Sequence, residues 1–117
     1  MTGNTELHTI LNTLGKAKAL DILLTLKNGK KRWSKLLEIL KDKKSLSYRI
    51  RELSDLGLIQ VTVIHDTPTG TKFYELTPLG KKVVQLLEQI EKEFEEYHSK
   101  APPKDPEKFI NELLDDN

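Results

Sequence analysis

Basic side chains are concentrated in one short stretch of this 117-residue chain. Residues 27–51 carry ten lysines and arginines against two acidic residues, a net charge of +8, although the whole chain has a net charge of only +1. Clustered ammonium and guanidinium groups bind polyphosphates by displacing condensed counterions. Residues 27–51 are therefore a candidate polyanion-binding segment, and a solvated lysine-rich surface that only keeps the protein soluble is the alternative.

The residue types needed for catalysis or metal binding are not grouped in this sequence. Cysteine is absent, which excludes disulfides, thiolate metal sites, a cysteine nucleophile and thiol-based sensing. His8, His65 and His98 fall in separate predicted elements and lack the paired spacing of metal ligands. No phosphate-binding glycine-rich loop or nucleophile motif occurs. We therefore predict that the protein is not an enzyme and holds neither metal nor cofactor.

Length and composition indicate one domain with a small core. Apolar residues make up 37% of the chain and charged residues 32%, which favours amphipathic helices that a second copy helps to cover. The sequence has neither a long apolar run nor the start of a signal peptide. We expect a soluble cytoplasmic protein that does not contact a membrane.

Helical periodicity predicts four short helices in the first half of the chain. They are expected at residues 7–14, 17–27, 34–40 and 45–56. Ser34 is the candidate N-cap of the third helix, the fourth opens near Ser45, and Gly57 ends it. The second helix is apolar nearly all round, which places it in the core.

A β-hairpin and a long helix follow. Residues 58–65 and 73–77 are rich in strand-forming residues, and the segment between them contains Pro68 and Gly70. Thr77 and Pro78 then begin a helix that runs to about residue 99. The order predicts an α+β, mostly α, fold: a winged helix-turn-helix at 1–80, and at 81–117 a long C-terminal dimerisation helix plus a short tail helix.

Two segments carry a family resemblance. The sequence RELSDLGLI, at residues 51–59, resembles the end of the recognition helix and the first wing strand of winged-helix regulators, and YELTPLG, at residues 74–80, resembles their second wing strand. Residues 17–85 are similar to the HxlR, PadR, MarR and ArsR-type groups. The resemblance implies a homodimeric transcription regulator that binds double-stranded DNA, with the helix at about 45–56 in the major groove and the wing at 66–72 on the backbone or in the minor groove.

The candidate DNA-binding residues lie in three places: before the third helix, on the fourth helix and in the wing. At 100° per residue, Leu46, Ile50 and Leu53 face the core, and the polar residues between them face outward or to the side. The candidates are Lys30, Lys31, Arg32, Ser34, Lys43, Lys44, Ser45, Ser47, Tyr48, Arg49, Arg51, Thr69, Thr71 and Lys72. Arg51 is the candidate for a guanine edge, and Arg49, at the side, for a phosphate. Trp33 is expected to pack rather than to contact DNA.

An apolar stripe along the long helix predicts the dimer contact. Its members alternate at intervals of four and three residues, as in a coiled coil. The candidate dimerisation residues are Leu7, Leu11, Val83, Leu87, Ile90, Phe94 and Tyr97. The first helix and the tail remain alternative contacts, and a long helix folded back on its own domain is a second alternative. Any small-molecule effector is unknown.

A winged helix can also serve as a protein-interaction adaptor that does not bind DNA. In that case the basic residues would be scattered over the surface. On this hypothesis they would only make the protein soluble.

Overall fold

The computed structural model describes residues 3–100, with side chains from Glu6 onward. The described residues form five helices and one two-stranded sheet. In chain order these are α1 (Gly3–Leu14), α2 (Ala19–Lys27), α3 (Trp33–Leu37), α4 (Lys43–Asp55), β1 (Ile59–Ile64), β2 (Thr71–Leu76) and α5 (Pro78–Lys100). The predicted α+β, mostly helical winged fold with a long C-terminal helix is confirmed. The predicted tail helix lies outside the described residues.

One apolar core holds the first six elements and the start of α5 together. Its fully buried members include Ile22 and Leu23 of α2, Leu36 of α3, and Leu46 and Leu53 of α4. α2 belongs to the core, as predicted, although it is not buried on all sides. Only one face of this helix packs inward, and Leu20 and Leu24 on its other face remain exposed.

The predicted starts of the first four helices all differ from the structure. α1 begins at Gly3, four residues before the predicted start. Asp42 caps α4, because its carboxylate accepts the Ser45 N–H at 3.1 Å; Ser45 is therefore inside the helix. Arg32 is the N-cap of α3, so Ser34 also lies inside the helix, and α3 is shorter than predicted. The second helix starts at Ala19, because Lys18 adopts a left-handed conformation with φ of 67°.

The connection from α4 into β1 follows the predicted chemistry. Gly57 has φ of 82°, and its N–H and that of Leu58 donate to carbonyls in the last turn of α4, which is a Schellman ending. Thr77 then caps α5, since its hydroxyl oxygen accepts the Gly80 N–H at 2.9 Å. The same hydroxyl donates to the Gly57 carbonyl, so one side chain joins the two ends of the hairpin.

The hairpin forms the wing. β1 and β2 are antiparallel, with Ile59 opposite Leu76 at the base and Ile64 opposite Thr71 at the tip. Lys31 adds an isolated bridge to Tyr74, with two backbone hydrogen bonds of 2.9 and 2.8 Å. Val61 and Val63 are exposed, so only the base of the hairpin belongs to the core.

The chain divides into two units, Met1–Val84 and Gln85–Asn117. The first two turns of α5 therefore belong to the winged unit, and Gly80 and Val84 are buried there. No helix of the described chain is both long enough and apolar enough to span a membrane.

Candidate nucleic-acid interface

α4 presents one polar face and one buried face. Leu46, Ile50 and Leu53 are buried, and the side chains on the opposite side are exposed. At 100° per residue the exposed side chains share an arc of about 100°. They are Lys44, Ser47, Tyr48 and Arg51, with Asp55 in the same arc at the end of the helix. One solvent-facing surface thus carries the Ser47 hydroxyl and the Arg51 guanidinium, which can donate to base edges, together with the Tyr48 phenol ring and the Lys44 ammonium group.

The start of α4 is fixed by a side-chain cap. The Ser45 hydroxyl and the Ser45 N–H both donate to Asp42, and these hydrogen bonds hold the pKa of the Asp42 carboxyl below its ordinary value. Ser45 was predicted as a DNA contact, but its hydroxyl hydrogen is used within the chain. Lys43 and Lys44, in the first turn, remain exposed.

Arg49 lies on the flank of α4 and is used within the protein. Its Nε donates to the Ala17 carbonyl at 3.0 Å and its Nη1 donates to Glu52 at 2.7 Å. Lys16 pairs with the same carboxylate. The Lys16 ammonium first, and the Arg49 guanidinium second, lower the pKa of Glu52, against the opposing effect of partial burial. This geometry gives Arg49 a structural role, and the predicted phosphate contact stays a prediction.

The basic segment before α3 is held against the wing. The Lys30 ammonium lies 5.3 Å and the Arg32 guanidinium 5.6 Å from the centre of the Phe73 ring, within cation–π distance. Lys31, between them, forms the backbone bridge to Tyr74. Sequence reasoning missed Phe73. The sequence shows only that Phe73 is an aromatic residue in a predicted strand, and this does not indicate a contact with the basic segment.

Trp33 packs as predicted. Its ring is half-buried against the core, with its centre 5.8 Å from that of Tyr74. Ser34, the next residue, is exposed.

The wing loop places small and basic groups outward. Thr69 and Lys72 are exposed. Thr71 is not a free donor, because its hydroxyl donates to Asp66 at 2.8 Å. Gly70 has φ of 78°, and a Cβ there would lie 2.7 Å from Val63, so glycine suits this turn.

The predicted DNA-binding residues therefore separate into two groups. Ser45 and Thr71 donate their hydroxyl hydrogens to intrachain partners, and Arg49 uses two of its five N–H donors in the same way. The others are exposed, apart from the half-buried Lys31, and they all belong to the winged unit. They are Lys30, Arg32, Ser34, Lys43, Lys44, Ser47, Tyr48, Arg51, Thr69 and Lys72. In the described chain, no group of three or more histidine and acidic side chains could hold a metal ion.

The predicted dimerisation residues also separate. Val83 is half-buried and packs on the core of its own unit, and Leu87 is also half-buried. Leu7 and Leu11 of α1 are exposed. In the second unit Ile90, Phe94 and Tyr97 are 55%, 62% and 69% exposed, values that are high for large apolar side chains. Leu86, which the predicted stripe omitted, is also exposed.

Solved structures of several regulators are similar to this chain. A MarR-family transcriptional regulator from Enterococcus faecalis V583 is 24% identical, with a TM-score of 0.71 over 83% of this chain and 89% of that one. Diamide-treated YodB from B. subtilis is 25% identical, with a TM-score of 0.64 over 74% and 86% of the two chains. The HTH-type transcriptional regulator ytcD is 25% identical, with a TM-score of 0.64 over 80% and 97%. The chain has no match among curated proteins.

A family profile covers most of the sequence. The profile of the HxlR-like helix-turn-helix matches residues 13–102, which include every candidate DNA-binding residue and both strands of the wing. The match extends over well more than half of the chain, and the solved regulators share its winged fold. The chain therefore belongs to the HxlR-like helix-turn-helix family, whose members are DNA-binding transcription regulators and not enzymes.

Proposed function

We propose that this protein is a homodimeric transcription regulator that binds a specific double-stranded DNA site, with α4 in the major groove and the wing on the backbone or in the minor groove. The observation that carries the proposal is the polar face of α4. Lys44, Ser47, Tyr48 and Arg51 are all exposed on one side, whereas the opposite side is buried in the core. A helix anchored in this way can enter a groove without exposing apolar surface.

Base recognition is assigned to the middle of α4. Arg51 has the donor geometry to bind the O6 and N7 atoms of guanine, and Ser47 and Tyr48 contact neighbouring bases or phosphates. Lys43 and Lys44 lie in the first turn, where their charge attracts a phosphate. The Ser45 N–H at this terminus is already bonded to the Asp42 carboxylate.

Phosphate binding is assigned to the segment before α3 and to the wing. Lys30 and Arg32 are held over Phe73, so they lose less side-chain freedom when they bind the backbone than unrestrained side chains do. Lys31 and Ser34 lie beside them in the sequence, and Thr69 and Lys72 supply the wing contacts.

Dimerisation is assigned to exposed apolar side chains of α1 and α5, together with the half-buried Leu87. These are Leu7, Leu11, Leu86, Leu87, Ile90, Phe94 and Tyr97. A twofold dimer presents its two recognition helices about 34 Å apart, one turn of DNA, and so reads an inverted repeat.

Selection of bound duplexes from a random pool tests the proposal. We expect enrichment of an inverted repeat whose half-sites are centred about 10 base pairs apart. Affinity for that site should fall steeply with salt, since each phosphate contact contributes about −0.9 to the slope of log K against log salt concentration. If no duplex binds even at low salt, the proposal is wrong and the adaptor hypothesis takes its place.

A further inference from the structure

The winged unit contains a groove of about 420 Å³ between α1, the C-terminal end of α4 and the first turns of α5. Its apolar lining comes from Ile10, Leu56, Leu58, Leu79 and Val83. The volume lies within the range of roughly 300–1,000 Å³ that small-molecule sites occupy. The groove is therefore large enough for an organic molecule with an apolar body.

The charged side chains that line this groove have one sign. Of the described residues that line it, only Glu6 and Asp55 are charged, and both are exposed. Neither carboxylate has a hydrogen-bond or ion-pair partner among the described residues, whereas Glu52 has two cationic partners. An apolar surface between two unpaired carboxylates attracts a molecule that is both apolar and positively charged.

We propose that this groove binds a small organic cation, an amphipathic amine or quaternary ammonium whose apolar body lies on Leu56, Leu79 and Val83. The carboxylates of Glu6 and Asp55 balance its charge. An organic anion of the same size would meet two like charges and would be rejected.

The groove is distinct from the proposed dimer contact on α1. Leu7 and Leu11 lie on average about 100° around the helix from the face that Glu6 and Ile10 present to the groove. A second copy that packs on Leu7 and Leu11 therefore contacts a different face of α1 from the one that lines the groove.

The ligand would also contact the DNA-reading helix. Asp55 is the last residue of α4 and Leu56 is its C-cap. A cation bound here therefore contacts the C-terminal end of α4, the helix that carries Arg51. The groove is therefore an effector site, and this role rests on the proposed DNA-binding function. Binding of the cation does not depend on that function.

A ligand titration of the full chain without DNA tests the binding. The probes are benzyltrimethylammonium and benzylsulfonate, which have similar size and opposite charge, and the readout is the methyl NMR signals of Ile10, Leu56, Leu58, Leu79 and Val83. We expect the cation to shift these signals to saturation and the anion to bind at least about tenfold more weakly. Glu6→Gln and Asp55→Asn should each weaken the cation about threefold. Asp21→Asn, which removes an exposed carboxylate outside the groove, should have no effect.

Two results would overturn the binding proposal. The first is equal binding of both probes, or cation affinity that is unchanged in the Glu6→Gln, Asp55→Asn double variant. The second is that the methyl signals of the groove residues shift with protein concentration and not with the cation. That result would mean that a second copy of the chain occupies the groove.

The effector role is tested separately, with the selected duplex. Saturating benzyltrimethylammonium should change duplex affinity by about threefold or more in the unaltered protein, and should not change it in the double variant. If the cation binds without any change in duplex affinity, the effector role is wrong, but the proposal of a cation-binding site still holds. Absence of duplex binding altogether would refute only the proposed function.

Discussion

The guanidinium of Arg49 donates to the carboxylate of Glu52 one turn further along α4, with Nη1 2.7 Å from Oε1. Its Nε also donates to the Ala17 carbonyl, and Lys16 pairs with the same carboxylate from the other side. α4 is thereby tied to the segment that joins α1 to α2. We expect Arg49 to act as a positioning residue for the proposed recognition helix; its predicted phosphate contact stays a prediction.

The Arg49→Ala variant separates these two roles. We expect it to lower the free energy of unfolding by about 1–3 kcal/mol, because a charge-assisted hydrogen-bond network is lost from a side chain that is only 17% exposed. The slope of log K against log salt concentration should be unchanged, since no phosphate contact is removed. Urea unfolding and a salt titration measure the two quantities. A slope reduced by about one would instead make Arg49 a phosphate contact.

Glu52 should make stability depend on pH. Its pKa is lowered from 4.5 by the Lys16 and Arg49 hydrogen bonds, so the folded state binds its proton less tightly than the unfolded state does. The stability contributed by Glu52 is therefore complete above pH 4.5 and is lost as the pH falls through the lower folded pKa.

The Glu52→Gln variant measures that dependence. Urea unfolding between about pH 7 and about pH 3 should show the variant less stable at neutral pH, with the difference shrinking as the pH falls below about 4.5. Glu95→Gln, at an exposed position of α5, should parallel the unaltered protein throughout. A stability difference for Glu52→Gln that is independent of pH would contradict the assignment.

The sequence predicted the order of the elements better than it predicted the partners of individual polar groups. Periodicity correctly placed Leu46, Ile50 and Leu53 inward and Arg51 outward, because burial of apolar side chains dictates both. It also placed Arg49 on the flank of the helix. The partner of that guanidinium depends on the path of the loop between α1 and α2. The left-handed conformation of Lys18 helps to set this path, and the sequence contains no signal for it.

The boundaries of α4 illustrate the same limit at short range. Asp42 and Ser45 are both good N-caps, and the spacing of apolar residues does not distinguish a helix that starts at one from a helix that starts at the other. The carboxylate accepts the Ser45 N–H and hydroxyl together, a pairing that favours the earlier start. The contact of Phe73 with Lys30 and Arg32 joins distant segments, so it emerges only from the fold.

Arg51→Ala should relax base recognition. We expect it to cost about 1–3 kcal/mol of affinity on the selected duplex and much less on a random one, because a bidentate contact to guanine is lost. Lys44→Ala should weaken both duplexes by similar factors and reduce the salt slope by about one, as for loss of a phosphate contact. Both side chains are exposed, so stability should change by less than about 0.5 kcal/mol. Equal losses on both duplexes for Arg51→Ala would refute its role in base recognition.

Ile90→Asp should dissociate the proposed dimer. The variant places a carboxylate among Leu86, Phe94 and Tyr97, where pairing of two helices would bury it without a partner. Sedimentation equilibrium should show at least about a hundredfold weaker dimer, a loss of roughly 3 kcal/mol. Gln85→Asp adds the same charge about 140° around the helix and should dimerise like the unaltered protein. If the Ile90→Asp variant still forms the dimer, the dimer contact lies on α1 or on the tail and not on α5.

Gly80 should be intolerant of any side chain, although it lies in the first turn of α5. A Cβ at this position would be 2.1 Å from the Leu58 carbonyl oxygen, and that carbonyl cannot easily move because it accepts the Thr77 N–H at 3.0 Å. Gly80→Ala must therefore displace either the start of α5 or the start of β1, at a cost of about 3 kcal/mol, although alanine is the better helix former. Urea unfolding measures the cost, and Lys81→Ala, exposed on the next position, should be neutral within about 0.5 kcal/mol. If Gly80→Ala were as stable as the unaltered protein, the close approach of α5 to Leu58 would not exist in solution.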